Sequence, residues 1–225
     1  MNTNLFVNFY HDKKLARQKE LEACIFSNIE NPELNNITII IEDKDIYRLQ
    51  KFLHSIKSCN LRKISLTSMG KRPSFNDYFK LTEGHPDDIN IISNTDIILD
   101  TESLKKLKKW NWKNYCLALS RWDFTSKLRD PKSAILFNRA DSQDTWILKG
   151  SFPQIKNFCY GMGVPGVDNS LAHHLSNKYD IINPSLDIKT YHFHLTNSRN
   201  YKNWRGKTIE RVPLPYKMLE PTFLP

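Results

Sequence analysis

The sequence has few glycines and cysteines, and it has no long hydrophobic run. Its seven glycines and eleven prolines in 225 residues are too few for a collagen-like or low-complexity chain. Its four cysteines are widely spaced, which excludes a disulfide scaffold and predicts reduced core thiols. The densest apolar run, Ile37–Ile41, has the length of a strand and falls far short of the roughly 18 residues of a membrane helix. Because the N-terminus also lacks the layout of a signal peptide, we expect a cytoplasmic protein.

The composition is that of a globular, basic chain. Apolar residues make up 40% of the sequence and charged residues 25%, and the length suits one domain over residues 1–225. Lysine and arginine exceed aspartate and glutamate by 33 to 24, for a net charge of +9. Such a charge attracts nucleic acid, acidic membrane surfaces or phosphorylated small molecules. The choice among these partners depends on the sites.

The apolar pattern alternates between strand and helix periods in the first half of the chain. The predicted strands are Leu5–Tyr10, Ile37–Ile41, Leu61–Leu66 and Ile89–Ile92, and the predicted helices are Leu15–Ile29 and Ile46–Ile56. This alternation predicts an α/β fold with a mostly parallel central sheet flanked by helices. The second half is less regular, with predicted strands at Tyr115–Leu119, Ala134–Phe137 and Ile188–Leu195 and predicted helices at Glu102–Trp110 and Asn169–Tyr179. From Tyr201 the chain is basic and then proline-rich, which predicts a tail that extends over the surface or leads to a further domain.

A polar segment, Ser93–Asp100, directly follows the Ile89–Ile92 strand. Ligands of open α/β sheets gather beyond the carboxyl ends of strands, so Asp96 is placed to hold Mg²⁺ or Mn²⁺ against a diphosphate. A simple strand-end turn explains Asp96 equally well. For Asp100 we favour the plainer interpretation, in which it caps the following helix.

A glycine-rich loop, Gly161–Asn169, precedes the last predicted helix. Its spacing matches a dinucleotide-binding loop, but no clear strand precedes it and Pro165 lies inside the turn, so we do not expect a dinucleotide site. Asp168 stands at the start of the helix. It is either a helix N-cap or a general base held beside the glycine loop.

Two histidines, His192 and His194, alternate in a predicted strand and therefore share one face. They are either metal ligands or buried structural histidines. The basic residues that follow would contact phosphates or form a solvated surface; they are Arg199, Lys202, Arg205 and Lys207.

Two further segments combine charge with aromatic side chains. Asp144 near Trp146 offers a carboxylate and a ring face for a sugar, although a helix start with Trp146 in the core is an equal alternative. The lysines and tryptophans of Lys105–Lys113 most resemble a solvated helix face with an apolar edge. No recognised nucleic-acid-binding motif is present, so we expect no nucleic-acid partner, while peripheral contact with a membrane stays open.

The order of these features resembles the GT-A glycosyltransferases, and several blocks are similar to those of small bacterial and large-virus members. The blocks are Ser142–Trp146, Ile182–Ser185 and Tyr191–His194, and the resemblance covers about Asn4–Tyr201. It implies a Rossmann-like nucleotide-binding half over about residues 1–100, an acceptor and catalytic half over about 101–200, and a tail over 201–225.

The resemblance also implies roles for particular residues. Asn94–Asp96 resembles the metal motif, Val167–Asp168 the base motif, and His192 or His194 the closing ligand of a Mn²⁺ or Mg²⁺ site. Asn94 replaces the first aspartate of many relatives and Val167 a common glutamate, so a metal-independent site with basic residues on the diphosphate stays open.

The implied reaction moves a sugar from a nucleotide-sugar donor, with a UDP-sugar favoured, to a glycan or other hydroxyl acceptor. Inversion by direct displacement would use Asp168 as the base and Asp144 as acceptor positioner or alternative base. The donor nucleotide would lie against Glu42, Asp43, Arg72, Asn94 and Asp96.

Two other classes of protein remain as alternatives. A nucleotidyltransferase also uses strand-end carboxylates and Mg²⁺, but it normally has a glycine-rich phosphate loop, and Tyr10–Lys14 contains no glycine. A non-catalytic basic module that binds nucleic acid or membranes would show salt-sensitive binding without selectivity for a base.

Overall fold

The computed structural model of this chain describes residues 1–196 and 211–225. The strands are β1 (Thr3–Phe9), β2 (Asn36–Glu42), β3 (Ile64–Met69), β4 (Ile89–Ser93), β5 (Ile97–Leu99), β6 (Tyr115–Leu119), β7 (Trp122–Asp123), β8 (Ile135–Leu136), β9 (Thr145–Lys149), β10 (Asp180–Ile182) and β11 (Thr190–His192). The helices are α1 (Leu15–Glu30), α2 (Ile46–Ser55), α3 (Phe75–Thr82), α4 (Thr101–Lys109) and α5 (Val167–Leu175).

Seven strands form the central sheet, in the order β10-β6-β9-β4-β1-β2-β3. The neighbours β4, β1, β2 and β3 run parallel, as do β10 and β6, whereas β9 lies antiparallel between β4 and β6. The predicted α/β fold with a mostly parallel sheet is therefore confirmed, with one reversed strand. A second sheet has the order β5-β11-β7-β8 and lies beyond the end of β4.

Helices cover both faces of the central sheet, because side chains of each strand alternate between the two faces. Leu5 and Val7 of β1 pack into a core cluster that includes side chains of α1, α2 and α4. Phe6 packs into the opposite cluster with side chains of α3 and α5. Burial on both faces explains the continuous apolar runs that predicted these strands.

Several predicted elements are shifted or of a different type. Residues Cys59–Lys63 form a 3₁₀ turn that the Ser58 hydroxyl caps by accepting from Asn60 N, so the third strand begins only at Ile64. The segment around Trp146 is strand β9 and not a helix start, although the indole is 1% exposed and lies in the core as that alternative required.

The strand predicted over Ile188–Leu195 is shorter than expected. Its start is a turn in which Ile188 N donates to Pro184 O, and after His192 the backbone leaves the strand as Phe193 N donates to Asp96 O. The last helix runs over Val167–Leu175 instead of Asn169–Tyr179, with left-handed Gly166 (φ 79°) as its N-cap. Asp168 is therefore inside the first helical turn and is not the cap.

The cysteine prediction is correct for two of the four side chains. All four lie in the described part of the chain as free thiols, with Cys24 and Cys116 buried and Cys59 and Cys159 exposed. The prediction of core thiols is wrong for the exposed pair, which lie in a surface turn and a surface loop. No helix within residues 1–196 and 211–225 is long and apolar enough to cross a membrane, and the compartment stays a prediction.

The tail folds back onto the domain where the structure describes it. Arg199, Lys202, Arg205 and Lys207, with the start of the tail, lie outside the described residues. Within residues 211–225, Val212 N donates to Pro165 O (3.0 Å) and Lys217 N to Asn169 O (2.9 Å). These bonds dock the tail on the glycine loop and the first turn of α5, while the side chains of Val212 and Leu219 are buried.

Asp100 caps α4 as predicted, because its carboxylate accepts hydrogen bonds from both Ser103 N and Ser103 Oγ (2.8 Å each). Replacing Asp100 with alanine is expected to lower the free energy of unfolding by about 1 kcal/mol. Denaturant unfolding measures this, with Glu102→Ala as the control. The Glu102 side chain is 72% exposed and its removal should change the value by less than about 0.5 kcal/mol. Equal losses in the two variants would contradict the capping role.

Candidate active site

One edge of the central sheet gathers most of the predicted site residues. Parallel strands place their carboxyl ends together, and the antiparallel β9 brings its start to the same edge. Backbone bonds fix this arrangement, with Asn94 N donating to Asp144 O and Asp144 N to Leu119 O (3.0 Å each). The segments after β4 and β6 and before β9 therefore meet at one place.

Asp96 lies next to both predicted histidines at this edge. Its Oδ2 is 3.2 Å from His192 Nε2 and 4.0 Å from His194 Nδ1. One ligand atom from each of the three residues lies within 4.8 Å of the others. His194 is just past the end of β11, yet its ring remains on the same side as His192, with ring centroids 5.5 Å apart.

Helix α1 supports this cluster from behind. Arg17 is 3% exposed; its Nη2 donates to Asp96 Oδ2, and its Nη1 donates to Phe193 O and Glu20 Oε2 (3.1 Å each). Glu20 in turn accepts hydrogen bonds from Leu195 N (3.0 Å) and Thr196 N (2.9 Å). Two residues one turn apart on α1 thus hold the backbone on either side of His194.

The charges in the cluster shift three pKa values. Burial opposes the charge on Asp96, but His192 and Arg17 outweigh it and hold its pKa well below the ordinary range. Burial also opposes the charge on His192, yet Asp96 and Asp123 raise its pKa to about 9. Burial and then Arg17 lower the pKa of His194, which keeps that ring neutral at neutral pH.

The donor set fits a divalent cation. One carboxylate oxygen and two imidazole nitrogens suit Mn²⁺ and other first-row metals. His194 supports the fit, because its ring is neutral, the form that binds metals, and its Nδ1 lies 4.0 Å from Asp96 Oδ2. His192 would have to release a proton, and its Nδ1 is already oriented by Asp123 Oδ1 (2.7 Å).

Arg121 joins this cluster to a second one around Asp144. Its Nε donates to Asp123 Oδ1 (2.9 Å) and its Nη1 to Asp144 Oδ2 (2.8 Å). Asn94 donates to the other Asp144 oxygen (2.6 Å), so Asn94 lies against Asp144 and outside the metal-ligand group. Asp144 has both oxygens occupied, and its side chain is 10% exposed.

Asp168 lies near Asp144. Its carboxylate accepts a hydrogen bond from the backbone N–H of Gln143, and burial followed by the negative charge of Asp144 raises its pKa well above the ordinary value. The glycine loop is tight here, because a Cβ on Gly166 would lie 2.8 Å from Tyr216 Oη of the tail. A buried carboxyl group with a raised pKa is typical of a proton-transfer residue.

The predicted nucleoside contacts lie further along the same edge, at the ends of β2 and β3. Asp43 accepts a hydrogen bond from Ser68 Oγ, while Glu42 pairs with exposed Lys44 (2.6 Å). Arg72 donates from Nη2 to Met162 O (2.6 Å), so its guanidinium contacts the glycine loop. The structure brings these three residues to the sheet edge but does not join them to the Asp96 cluster by a direct contact.

Sequence reasoning missed four charged residues of this site, Arg17, Glu20, Arg121 and Asp123. Arg121 and Asp123 follow the predicted strand Tyr115–Leu119, so the strand-end rule that singled out Asp96 also applied to them. Arg17 lies four residues before Leu21 on the buried face of α1. An arginine on the apolar side of a helix was the available signal, because such a residue needs a buried partner.

Two solved structures similar to this chain are GT-A glycosyltransferases. One is the mannosyltransferase PcManGT of Pyrobaculum calidifontis, in complex with GDP-Man and Mn²⁺, which is 11% identical to this chain with a TM-score of 0.55. The match covers 87% of this chain and 58% of the mannosyltransferase chain. TarS residues 1–349 from S. aureus are 10% identical with a TM-score of 0.51, covering 85% of this chain and 60% of TarS. The chain thus spans about three fifths of the length of these structures and has a GT-A-like fold.

A third structure belongs to another class of enzyme. It is 4-diphosphocytidyl-2C-methyl-D-erythritol synthase of Anaerococcus prevotii, 11% identical over 66% of this chain and 70% of its own, with a TM-score of 0.43. No protein-family model matches the sequence, and the sequence of no curated protein matches it. The likeness therefore rests on structure and defines the fold.

Proposed function

We propose that this chain transfers a sugar from a nucleoside-diphosphate donor to an acceptor hydroxyl, with inversion and with the help of a divalent cation. The observation that carries the proposal is the pair of clusters at one sheet edge, Asp96–His192–His194 and Asp144–Asp168. A cation group and a carboxyl group with a raised pKa are the two parts that such a transfer needs. The bound GDP-Man and Mn²⁺ of PcManGT support the donor class and the cation.

In the proposed mechanism Asp168 accepts the proton of the acceptor hydroxyl. As the hydroxyl oxygen attacks the anomeric carbon, the bond from that carbon to the diphosphate breaks on the opposite face. The sugar is then bonded to the acceptor, and the nucleoside diphosphate is the leaving group. Burial and then the negative charge of Asp144 keep the pKa of Asp168 raised. Arg121 and Asn94 fix the orientation of Asp144. A UDP-sugar is the donor that we favour, and a glycan hydroxyl the acceptor.

Asp96, His192 and His194 would hold Mn²⁺ or Mg²⁺ in this mechanism. A bound dication stabilises the negative charge that develops on the leaving diphosphate. Glu42, Asp43 and Arg72 would contact the nucleoside at the neighbouring strand ends. Asn94 acts on Asp144 in this proposal and is not a ligand.

Thermal unfolding with nucleotides tests the donor class. We expect one of UDP, GDP, CMP and TDP, favouring UDP, to raise the unfolding midpoint in the presence of Mn²⁺ more than in its absence. A nucleotide at about a hundred times its dissociation constant adds roughly 2.7 kcal/mol of stability. For a chain of this size that corresponds to a shift of about 5 to 10 °C.

The other outcomes of this experiment contradict the proposal. Equal small shifts for all nucleotides that vanish in salt would indicate generic anion binding. With nucleoside triphosphates added to the series, a midpoint raised by one of them but by no diphosphate would favour a nucleotidyltransferase.

A further inference from the structure

The candidate metal site at Asp96 already contains a positively charged side chain, that of Arg17. Three contacts converge on one oxygen, Asp96 Oδ2, from Arg17 Nη2, His192 Nε2 and His194 Nδ1. The oxygen that faces the two histidines is therefore the same oxygen that Arg17 occupies. A metal ion bonded to Oδ2 and both rings would lie about 2 Å from that oxygen.

We propose that Arg17 and a divalent cation are alternative partners of Asp96 Oδ2, so that Arg17 sets how tightly the site binds metal. The inference rests on the proposed cation site. Arg17 and His192 already bring positive charge to this oxygen, so a dication added beside the permanently charged Arg17 would be repelled strongly where little water screens it. The side chains of Arg17 and Asp96 are only 3% and 15% exposed. A metal can therefore bind well only when the bond from Arg17 is lost.

The surroundings of Arg17 explain how the chain tolerates this exchange. Its Nη1 donates to Glu20 and Phe193 O, and neither acceptor is a metal ligand. When Nη2 loses its bond to Asp96, the guanidinium therefore keeps the ion pair with Glu20 on α1 and the hydrogen bond to Phe193 O. Without metal, the positive charge of Arg17 stabilises the buried carboxylate of Asp96.

The exchange predicts that metal binding and nucleotide binding support each other. A metal ion that binds without nucleotide must displace Arg17 from Asp96, and it gains bonds to only three protein ligands. A nucleoside diphosphate adds oxygen ligands to the ion and negative charge that attracts the released guanidinium. Wild type should accordingly bind Mn²⁺ weakly by itself.

Titration with Mn²⁺ alone tests the proposal, with free ion measured by electron paramagnetic resonance. In the full chain, Arg17→Gln is expected to lower the dissociation constant of Mn²⁺ about ten-fold or more, because it removes the competing charge. Arg17→Lys should lower it less, because an ammonium keeps the charge but lacks the planar fork that reaches three acceptors. Circular dichroism checks that each variant folds. If Arg17→Gln does not fold, the Mn²⁺ affinity of Arg17→Lys tests the proposal.

Arg129→Gln is the matched control. Arg129 lies over the Phe193 ring (5.5 Å to the centroid) and donates to Ser27, so it is a nearby cation that does not contact Asp96. It should change the Mn²⁺ affinity less than about two-fold. Adding His194→Ala to Arg17→Gln should abolish the gain.

Three results would overturn the inference. They are no gain in either Arg17 variant, an equal gain in Arg129→Gln, or a gain that survives His194→Ala. None of them depends on nucleotide or transfer, so they are separate from a failure of the proposed function, which the nucleotide shifts in wild type report.

Discussion

Asp168→Asn is expected to lower the rate of sugar transfer by about 10² to 10⁴-fold, the usual contribution of a general base. An asparagine of the same size keeps the local packing and the bond from Gln143 N–H, but its amide cannot take up the acceptor proton. Nucleotide binding should be retained, because Asp168 does not belong to the group Asp96–His192–His194. The measurement combines transfer rates with nucleotide-induced unfolding shifts. Asp180→Asn, at an exposed position, is the control.

The pH profile gives this prediction a second readout. Burial and Asp144 raise the pKa of Asp168 above its ordinary value of 3.8, and the base works only when it is deprotonated. Transfer by wild type should therefore rise with pH through the raised pKa, and Asp144→Asn should move that rise to lower pH. Transfer by Asp168→Asn within about two-fold of wild type would remove Asp168 from the mechanism.

Stability should change in the opposite direction to activity. A carboxyl group whose pKa is raised on folding favours the folded state while it is protonated, and this contribution is lost as pH rises through the folded pKa. Above that folded pKa wild type has lost it, whereas the neutral asparagine never carries the buried charge. Asp168→Asn should hence unfold at an equal or higher temperature at pH 7.

The sequence predicted those parts of the fold in which the periodicity of apolar residues is strong. Helix α1 was predicted to within one residue because Leu21, Cys24, Ile25 and Ile29 repeat at helical spacing over more than two turns. Strand β9 was missed because its five residues follow a polar segment and carry no period long enough to separate strand from helix. The reversal of β9 depends on tertiary pairing with β4 and β6, which no local pattern contains.

For the candidate site, several residues could be predicted from the sequence, but their arrangement could not. Asp96, Asp144 and Asp168 stood out because each follows or begins a predicted element. The two histidines stood out because they alternate within a predicted strand. Their mutual distances were not predictable, since they come from the register of β9 and from the departure of the chain after His192. Arg17 was missed for a physical reason, because its partners Asp96, Glu20 and Phe193 O meet only in the folded chain.

Asp96→Asn is expected to have the largest combined effect on stability and binding. The carboxylate neutralises Arg17 and His192 in a mostly buried cluster. Breaking such a pair from one side leaves the partner charge uncompensated and costs about 3 kcal/mol, the lower end for buried pairs because the amide still accepts one hydrogen bond. The unfolding midpoint should drop by roughly 6 to 12 °C.

The same variant should lose the part of the nucleotide-induced shift that depends on Mn²⁺, because an amide oxygen replaces the only charged ligand of the group Asp96–His192–His194. Calorimetry with and without Mn²⁺ measures both effects in one series. Asp141→Asn is the control, since Asp141 pairs with exposed Arg139 and its loss should cost less than about 1 kcal/mol. A full Mn²⁺-dependent shift in Asp96→Asn would place the cation elsewhere, whereas loss of stability with loss of that shift ties both to Asp96.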